Sequence, residues 1–190
     1  MSKLLFEIGT EEIPAPYIGP ALRQLADAVR LLLAEYRIPA ESLRTTGTPR
    51  RLTVAAAGIP PAQSAVREEI PGPPAHVAFD DAGAPTRAAE GFARSKGVPV
   101  ESLAVKETDK GPYAVAVVEH EGAPALQVLP DLLRQAALAI TFPKSMRWPA
   151  PGDGEATRFA RPIRRIVALL DKDIIPVRIA GLEAGRAGEG

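Results

Sequence analysis

The sequence contains no cysteine, no asparagine and no long apolar run. Without cysteine, disulfides, thiolate nucleophiles and cysteine-ligated zinc sites are excluded. No segment approaches the roughly 20 apolar residues that a membrane-spanning helix needs, so no membrane partner is expected. The start, Met-Ser-Lys followed at once by a short apolar stretch, lacks the cleavage site of a signal peptide. These absences predict a cytoplasmic protein.

Net charge is also lacking, because 23 basic residues balance 23 acidic ones over 190 residues. A protein that binds nucleic acid through a uniformly positive surface is therefore excluded, and any such affinity must come from a local cluster. Apolar residues make up 46% of the chain, which is enough to bury a core and predicts a globular protein.

The chain does contain strand and helix patterns, mixed without strict β-α alternation. Short apolar runs predict strands, and apolar residues three or four positions apart predict helices. The predicted strands are 4–9, 51–58, 66–70, 113–119, 163–170 and 174–179, and the predicted helices are 21–38, 85–97 and 126–140. Pro16 and Pro20 are expected to prevent an earlier start of the first helix. The fold class predicted is α+β, with a mixed or mainly antiparallel sheet and two or three packed helices.

The pattern predicts one α+β region over residues 1–180. Residues 181–190 hold four glycines and almost nothing apolar, so they are expected to form a flexible tail. A chain that ends on a hairpin and such a tail is expected to be part of a longer protein.

Several sequence blocks recur in the order found in one known family. The blocks are Leu-Phe-Glu-Ile-Gly-Thr-Glu-Glu-Ile-Pro at 5–14, Thr-Pro-Arg-Arg-Leu at 48–52, Gly-Pro at 72–73 with Ala-Phe-Asp at 78–80, Ala-Ala-Glu-Gly-Phe-Ala at 88–93, Thr-Asp-Lys-Gly at 108–111, Pro-Lys-Ser-Met-Arg-Trp at 143–148 and Phe-Ala-Arg-Pro-Ile-Arg at 159–164. The set closely resembles the N-terminal part of the β subunit of bacterial two-subunit glycyl-tRNA synthetase. Two departures are Arg165, where the family usually has an aromatic residue, and 186–190, which replaces a basic, histidine-containing block.

The resemblance implies an α2β2 ligase that joins glycine to tRNA(Gly) with ATP and Mg. In that family the α subunit holds the aminoacylation site, which implies that this chain has no cofactor and is inactive alone. The implied partners are tRNA(Gly), the α subunit and the remainder of the β subunit, with its HD-like and anticodon-binding domains. The resemblance also implies kinship with a domain associated with editing in phenylalanyl-tRNA synthetase, although fold kinship does not transfer an activity.

Basic residues concentrate in the segment 144–165, where six of them face only Asp153 and Glu155, a local net charge of +4. Trp148 and Phe159 lie between them. Arginine binds phosphate through paired hydrogen bonds, and aromatic rings stack on unpaired bases. The RNA-binding candidates are Arg50, Arg51, Lys144, Arg147, Arg158, Arg161 and Arg164. Alternatively, the aromatic residues belong to the core and the arginines to a solvated or intersubunit face.

Catalytic and metal-binding residues are not predicted. Glu7, Glu11 and Glu12 lie close in sequence, but Glu7 is inside an apolar strand, where pairing with an arginine of the same region is the expected role. His76 and His120 are isolated, and two such histidines without cysteine do not make a zinc site. Neither glycine-rich phosphate motif is present, so no ATP site is assigned.

Three functions remain open at this point. The first is an RNA-binding and assembly region of a tRNA ligase subunit, and the second is a docking or structural domain that never contacts RNA. The third is an editing-like hydrolytic domain. A contiguous basic face would favour the first, an exposed apolar patch the second, and a deep pocket with a nucleophile and a base the third.

Overall fold

The computed structural model describes residues 1–80, 82–109, 111–149 and 156–188. Contacts between residues divide the chain into two compact units. The first unit is Met1–Ser64 together with Ala123–Gly190, and the second is Ala65–Gly122. The single region expected over 1–180 therefore contains two units, and in sequence the second lies between the two parts of the first. The succession of predicted helices and strands does not reveal this division.

Four α-helices and twelve strands are found in the described ranges, and every pairing between named strands is antiparallel. In chain order they are β1 (Ser2–Thr10), α1 (Ala15–Glu35), β2 (Ser42–Thr48), β3 (Arg51–Ile59), β4 (Val66–Pro74), α2 (Ala75–Ala78), α3 (Arg87–Lys96), β5 (Ala104–Thr108), β6 (Gly111–His120), α4 (Ala125–Leu138), β7 (Met146–Trp148), β8 (Thr157–Phe159), β9 (Ile163–Leu170), β10 (Asp173–Ile174), β11 (Arg178–Ile179) and β12 (Leu182–Glu183). The predicted α+β fold class is confirmed.

The first unit is built on a five-stranded sheet with the strand order β10-β9-β1-β3-β2. Side chains alternate between the two faces of a strand, and on β1 the residues Leu4, Phe6 and Ile8 are buried on one of them. The buried stripes of α1 and α4 belong to the same core cluster as these residues. Both helices therefore cover one face of the sheet and leave the other face to the odd-numbered residues of β1.

The helix α1 begins at Ala15, so the prediction that Pro16 and Pro20 delay it to position 21 is wrong. Pro16 occupies the first turn, where a backbone N–H has no partner inside the helix. Pro20 lies on the exposed face, while Leu25 and Val29 pack into the core, so packing outweighs the hydrogen bond lost at the proline. Neither α1 nor any other helix in the described ranges combines the length and apolarity needed to cross a membrane.

The second unit contains a three-stranded sheet with the order β4-β6-β5, and α2 and α3 pack on it. Its small core is formed by Ala78, Ala89 and Ala114. The helix α3 is capped by Gly97, whose φ of 69° is left-handed, at the position where the predicted helix 85–97 ends. The predicted pairing near 66–70 is also confirmed, because β4 pairs with β6 over that stretch.

The segment after Gly181 differs from the expected flexible tail. The strands β11 and β12 form a hairpin, and Leu182 packs against the core of the first unit. Gly185 then runs parallel to β9, donating its N–H to the carbonyl of Ile166 (2.9 Å) and accepting from the N–H of Ala168 (3.3 Å). A Cβ at position 185 would meet no described atom within 4 Å, so the pairing depends on the backbone and does not require glycine. Composition alone does not reveal it.

Deleting residues 182–190 is therefore expected to lower the melting temperature of the 190-residue chain. The deletion removes both hydrogen bonds of Gly185 and the one that the Ala184 N–H donates to Val177 (2.9 Å). Three such bonds contribute roughly 3 kcal/mol, which corresponds to about 6–12 °C in a domain of this size. Deleting only 187–190 is the control and should leave the transition unchanged. An equal melting temperature for both deletions, measured by circular dichroism, would mean that this segment adds no stability.

Candidate nucleic-acid interface

Four strands of the first unit bring distant arginines to one edge of the sheet. In antiparallel neighbours, the end of one strand lies beside the start of the next. Gly9, near the end of β1, is thus paired with Arg51 at the start of β3 and with Arg165 on β9. The result is a cleft of about 840 Å³, here called the arginine cleft, lined by Thr10, Glu11, Glu12, Thr48, Pro49, Arg50, Arg51, Arg161, Arg164 and Arg165.

The lining of the arginine cleft comes from three segments, 10–12, 48–51 and 161–165, and backbone hydrogen bonds hold them together. The N–H of Thr10 donates to the carbonyl of Arg50 (2.9 Å), and the N–H of Ile13 donates to that of Pro49 (2.7 Å). On the other side, the N–H of Glu11 donates to the carbonyl of Pro162 (3.2 Å). The cleft is therefore formed by main chain at a sheet edge, which fixes the spacing of its arginines.

Two carboxylates at the cleft bind arginines of the cleft itself. The guanidinium of Arg50 donates to Oε1 of Glu12 (2.9 Å), and Nε of Arg164 donates to Oε1 of Glu11 (2.9 Å). All four side chains are largely exposed, so each pair contributes little, about 0–1 kcal/mol. The lining holds five arginines and two glutamates, a net charge of +3.

A deeper ion pair joins Arg165 to Glu7, with Nη2 3.6 Å from Oε1. Their side chains are only 21% and 14% exposed. The expectation that Glu7 pairs with an arginine of the same region is confirmed. Gly9 makes room for the arginine, because a Cβ at that position would lie 2.5 Å from Cγ of Arg165. The side chain of Arg165 therefore passes over Gly9 toward Glu7, which holds its guanidinium, and Arg165 is also part of the cleft lining.

Thr10 supplies a hydroxyl that the sequence did not single out. The residue is 6% exposed, lines the arginine cleft, and its Oγ1 has no hydrogen-bond partner among the described residues. A buried hydroxyl without a partner costs about 1–3 kcal/mol, and the oxygen of Thr10 is itself buried beneath the cleft surface. The only sequence clue is its position directly after the glycine that ends the apolar part of β1.

The other candidates of the basic segment lie elsewhere. Arg147 and Arg158 face each other on the two-stranded ribbon formed by β7 and β8, and Lys144 is exposed just before it. Of the seven candidates, the cleft thus gathers Arg50, Arg51, Arg161 and Arg164, and it leaves out Lys144, Arg147 and Arg158. A basic segment that is continuous in sequence is divided in space between a cleft and a ribbon.

The two aromatic residues of the segment also have different roles. Phe159 is 1% exposed and packs edge-on against Phe142, with ring centroids 4.8 Å apart, so it belongs to the core. Trp148 is half-buried, and its Nε1 donates to the carbonyl of Phe159 (3.1 Å). Phe159 is therefore not available for stacking on a base, whereas one side of Trp148 borders a pocket.

The described ranges contain no group of three or more histidine, cysteine, aspartate or glutamate side chains that could hold a metal ion. His76 and His120 are exposed and belong to the second unit, where Nε2 of His120 lies 3.2 Å from Glu68. Away from the cleft, the N–H of Lys3 donates to Asp171 (2.8 Å) and lowers the pKa of that carboxyl. This pairing is structural, since it fixes the turn after β9.

Comparison with known proteins identifies the family. The family model described as glycyl-tRNA synthetase beta subunit matches residues 4–190. A glycine–tRNA ligase beta subunit of Moorella thermoacetica is 48% identical over 181 residues, which is 95% of this chain and 26% of that protein. The beta subunit of Myxococcus xanthus is 44% identical over 98% of this chain and 26% of its own length. The chain thus spans about a quarter of these relatives, and it belongs to the glycyl-tRNA synthetase β subunit family.

Proposed function

We propose that this chain contacts the sugar–phosphate backbone of tRNA(Gly) through the arginine cleft, as part of the β subunit of a glycine–tRNA ligase. One observation supports this proposal above the others. Arginines from two separate segments, Arg50 and Arg51 on one side and Arg161 and Arg164 on the other, converge on one cleft with an excess of positive charge. In a chain that is neutral overall, this is the arrangement that phosphate recognition requires.

The energetics of the rim fit an exchange of carboxylate for phosphate. Glu11 and Glu12 occupy guanidinium donors that a phosphate oxygen would use, and these exposed pairs are weak. Arg51 and Arg161 form no ion pair with a carboxylate in the described part of the chain. Two arginines are therefore ready for phosphate, and two more become available when RNA displaces the glutamates.

The rest of the proposed function follows from the family. The relatives are glycine–tRNA ligase beta subunits, and we propose that the activity requires the α subunit, which would bind ATP and Mg in the cytoplasm. No residue of this chain is assigned to ATP, Mg or catalysis, and we expect it to be inactive alone. An editing function is not proposed, because neither threonine hydroxyl in the described lining of the cleft is hydrogen-bonded to a histidine or carboxylate that could act as its base.

A second candidate function, subunit assembly, is favoured by the uncovered face of the large sheet. Leu5, Ala55, Ala57 and Leu169 line a shallow groove of about 500 Å³ on the side opposite the helices. The lining also includes the charged residues Lys3, Arg44 and Asp171, so the groove is an apolar centre with a charged rim. A surface of this mixed kind suits a protein partner. We propose that it docks the α subunit or the remainder of the β subunit, a role that is compatible with RNA binding at the sheet edge.

The proposed RNA contact is tested by footprinting with a dicarbonyl reagent that modifies guanidinium groups. In the complete enzyme, tRNA(Gly) is expected to reduce modification of Arg50, Arg161 and Arg164 several-fold, as read by mass spectrometry. Arg23 and Arg30 are matched controls on the exposed side of α1, and Arg30 is paired with Asp27 as Arg50 is with Glu12. Equal modification of all five arginines with and without tRNA would rule out contact at the arginine cleft.

A further inference from the structure

A second pocket adjoins the arginine cleft and has a different character. It has a volume of about 330 Å³ and is lined by Trp148, Pro149, Thr157, Phe159, Pro162, Ile163, Arg164, Ala180 and Leu182. Most of these side chains are apolar and several are flat. This pocket, here called the tryptophan pocket, is at the lower end of the range of about 300–1,000 Å³ found for small-ligand sites. It has room for one ring system of moderate size.

The walls of the tryptophan pocket are held in place before any ligand binds. The hydrogen bond from Nε1 of Trp148 to the carbonyl of Phe159 fixes the indole ring, and β7 and β8 pair at that point. Leu182, which also lines the pocket, is held by the β11–β12 hairpin. A rigid aromatic wall loses little entropy when a flat ligand stacks on it.

Arg164 connects the tryptophan pocket with the arginine cleft, because it lines both. Pro162 is a second link, since its ring lines the pocket while its carbonyl accepts the N–H of Glu11 at the cleft. A ligand that spans the two sites must therefore combine a flat, largely apolar group with a nearby phosphate. A nucleotide has this combination, with a base that offers two flat faces and polar edges.

We propose that the tryptophan pocket binds one unpaired nucleobase of the RNA whose phosphates lie in the arginine cleft. The base stacks against Trp148, and Thr157 and Arg164 provide polar groups for its edge. The inference rests on the proposed function of the arginine cleft and adds to it, because it assigns the bound segment to unpaired RNA. Stacking of this kind tolerates any base, so no base preference is assigned.

The test compares two probes of equal length and equal phosphate number, a short single-stranded RNA and its abasic ribose–phosphate counterpart. The complete enzyme is expected to bind the base-bearing probe about 5- to 150-fold more tightly, which corresponds to the range found for one stacked base. Trp148→Ala is expected to remove this preference and leave the affinity for the abasic probe unchanged, and Trp148→Phe to restore most of it. Replacing Arg51 and Arg161 with alanine should lower the affinity for both probes by the same factor.

Leu182→Trp is a second variant, in which a larger side chain at a lining position occupies the pocket and should also remove the preference. Its control is Leu31→Trp on the exposed side of α1, which should keep it. If the unaltered enzyme binds both probes equally and through Arg51 and Arg161, the pocket proposal is wrong while the cleft proposal stands. If replacing the two arginines changes the affinity for neither probe, the proposed function itself is wrong. A Trp148 or Leu182 variant that weakens only α-subunit binding would assign the pocket to a protein contact and also overturn the inference.

Discussion

Replacing Arg51 and Arg161 together with alanine is expected to weaken binding of tRNA(Gly) to the complete enzyme by about 100-fold. Two charge-assisted contacts at roughly 1.5 kcal/mol each give about 3 kcal/mol, and every 1.4 kcal/mol is a factor of ten. These two positions are chosen because neither arginine is ion-paired with a carboxylate in the described ranges, so the substitution leaves no unpaired carboxylate behind. Affinity is measured by fluorescence titration at fixed salt.

The matched control is the double substitution of Arg23 and Arg30, which removes the same charge from the exposed side of α1. It should change the affinity less than threefold. Glycine-dependent exchange between ATP and pyrophosphate should survive in both variants, because no residue of this chain is assigned to that reaction. Equal affinities for the two variants, with the fold intact, would remove the support for RNA binding at the arginine cleft and favour the docking function.

The largest effect on stability is expected from Phe6→Ala. Phe6 is fully buried in the middle of β1, between Val54 on β3 and Ala168 on β9. Truncating a buried phenylalanine costs about 3–5 kcal/mol, because the transfer free energy is lost and a cavity remains. Since whole domains are stable by only about 5–15 kcal/mol, the melting temperature of the first unit should fall by roughly 6–20 °C.

Leu31→Ala is the control for that substitution, because Leu31 is a large apolar residue of α1 that is 69% exposed. Its removal should change the free energy of unfolding by less than about 0.5 kcal/mol. Both values come from urea denaturation followed by circular dichroism. Similar losses for the two variants would mean that the core does not lie between this sheet and its helices.

Much of the fold is predictable from local patterns in the sequence. The short apolar runs at 4–9 and 51–58 predict strands, and the structure has β1 and β3 there. Gly97 predicts the end of a helix because only glycine adopts the left-handed conformation at little cost. These features depend on neighbours within a few residues, which is why single-sequence reasoning finds them.

Other features depend on packing between distant segments, and the sequence does not reveal them. The helix α1 starts early because Pro20 lies on the exposed side of the helix, while the opposite side packs into the core. The segment after Gly181 is structured because Gly185 pairs with the backbone of β9. Glycine-rich composition predicts flexibility only where the segment finds no strand to pair with. Here β9 offers a free edge, and Gly185 pairs with it.

Local charge density in the sequence selects Lys144, Arg147, Arg158, Arg161 and Arg164 as one basic segment. The structure places Arg161 and Arg164 in the cleft and the other three outside it, and which of the five contact RNA stays a prediction. What assembles the cleft is strand register, since it places the β2–β3 turn and the start of β9 on the two sides of the end of β1. Register between strands that are more than 100 residues apart is not encoded in any local pattern, so Thr10 was missed.

The most direct measurement of the central claim is the salt dependence of tRNA(Gly) binding by the complete enzyme and by its Arg51→Ala/Arg161→Ala variant. Each phosphate contact releases condensed counterion and adds about 0.7 to the slope of log affinity against log salt concentration. If both arginines contact phosphate, the variant's slope should be shallower by about 1.4, while the Arg23→Ala/Arg30→Ala control keeps the original slope. Identical slopes for all three proteins would contradict phosphate binding in the arginine cleft.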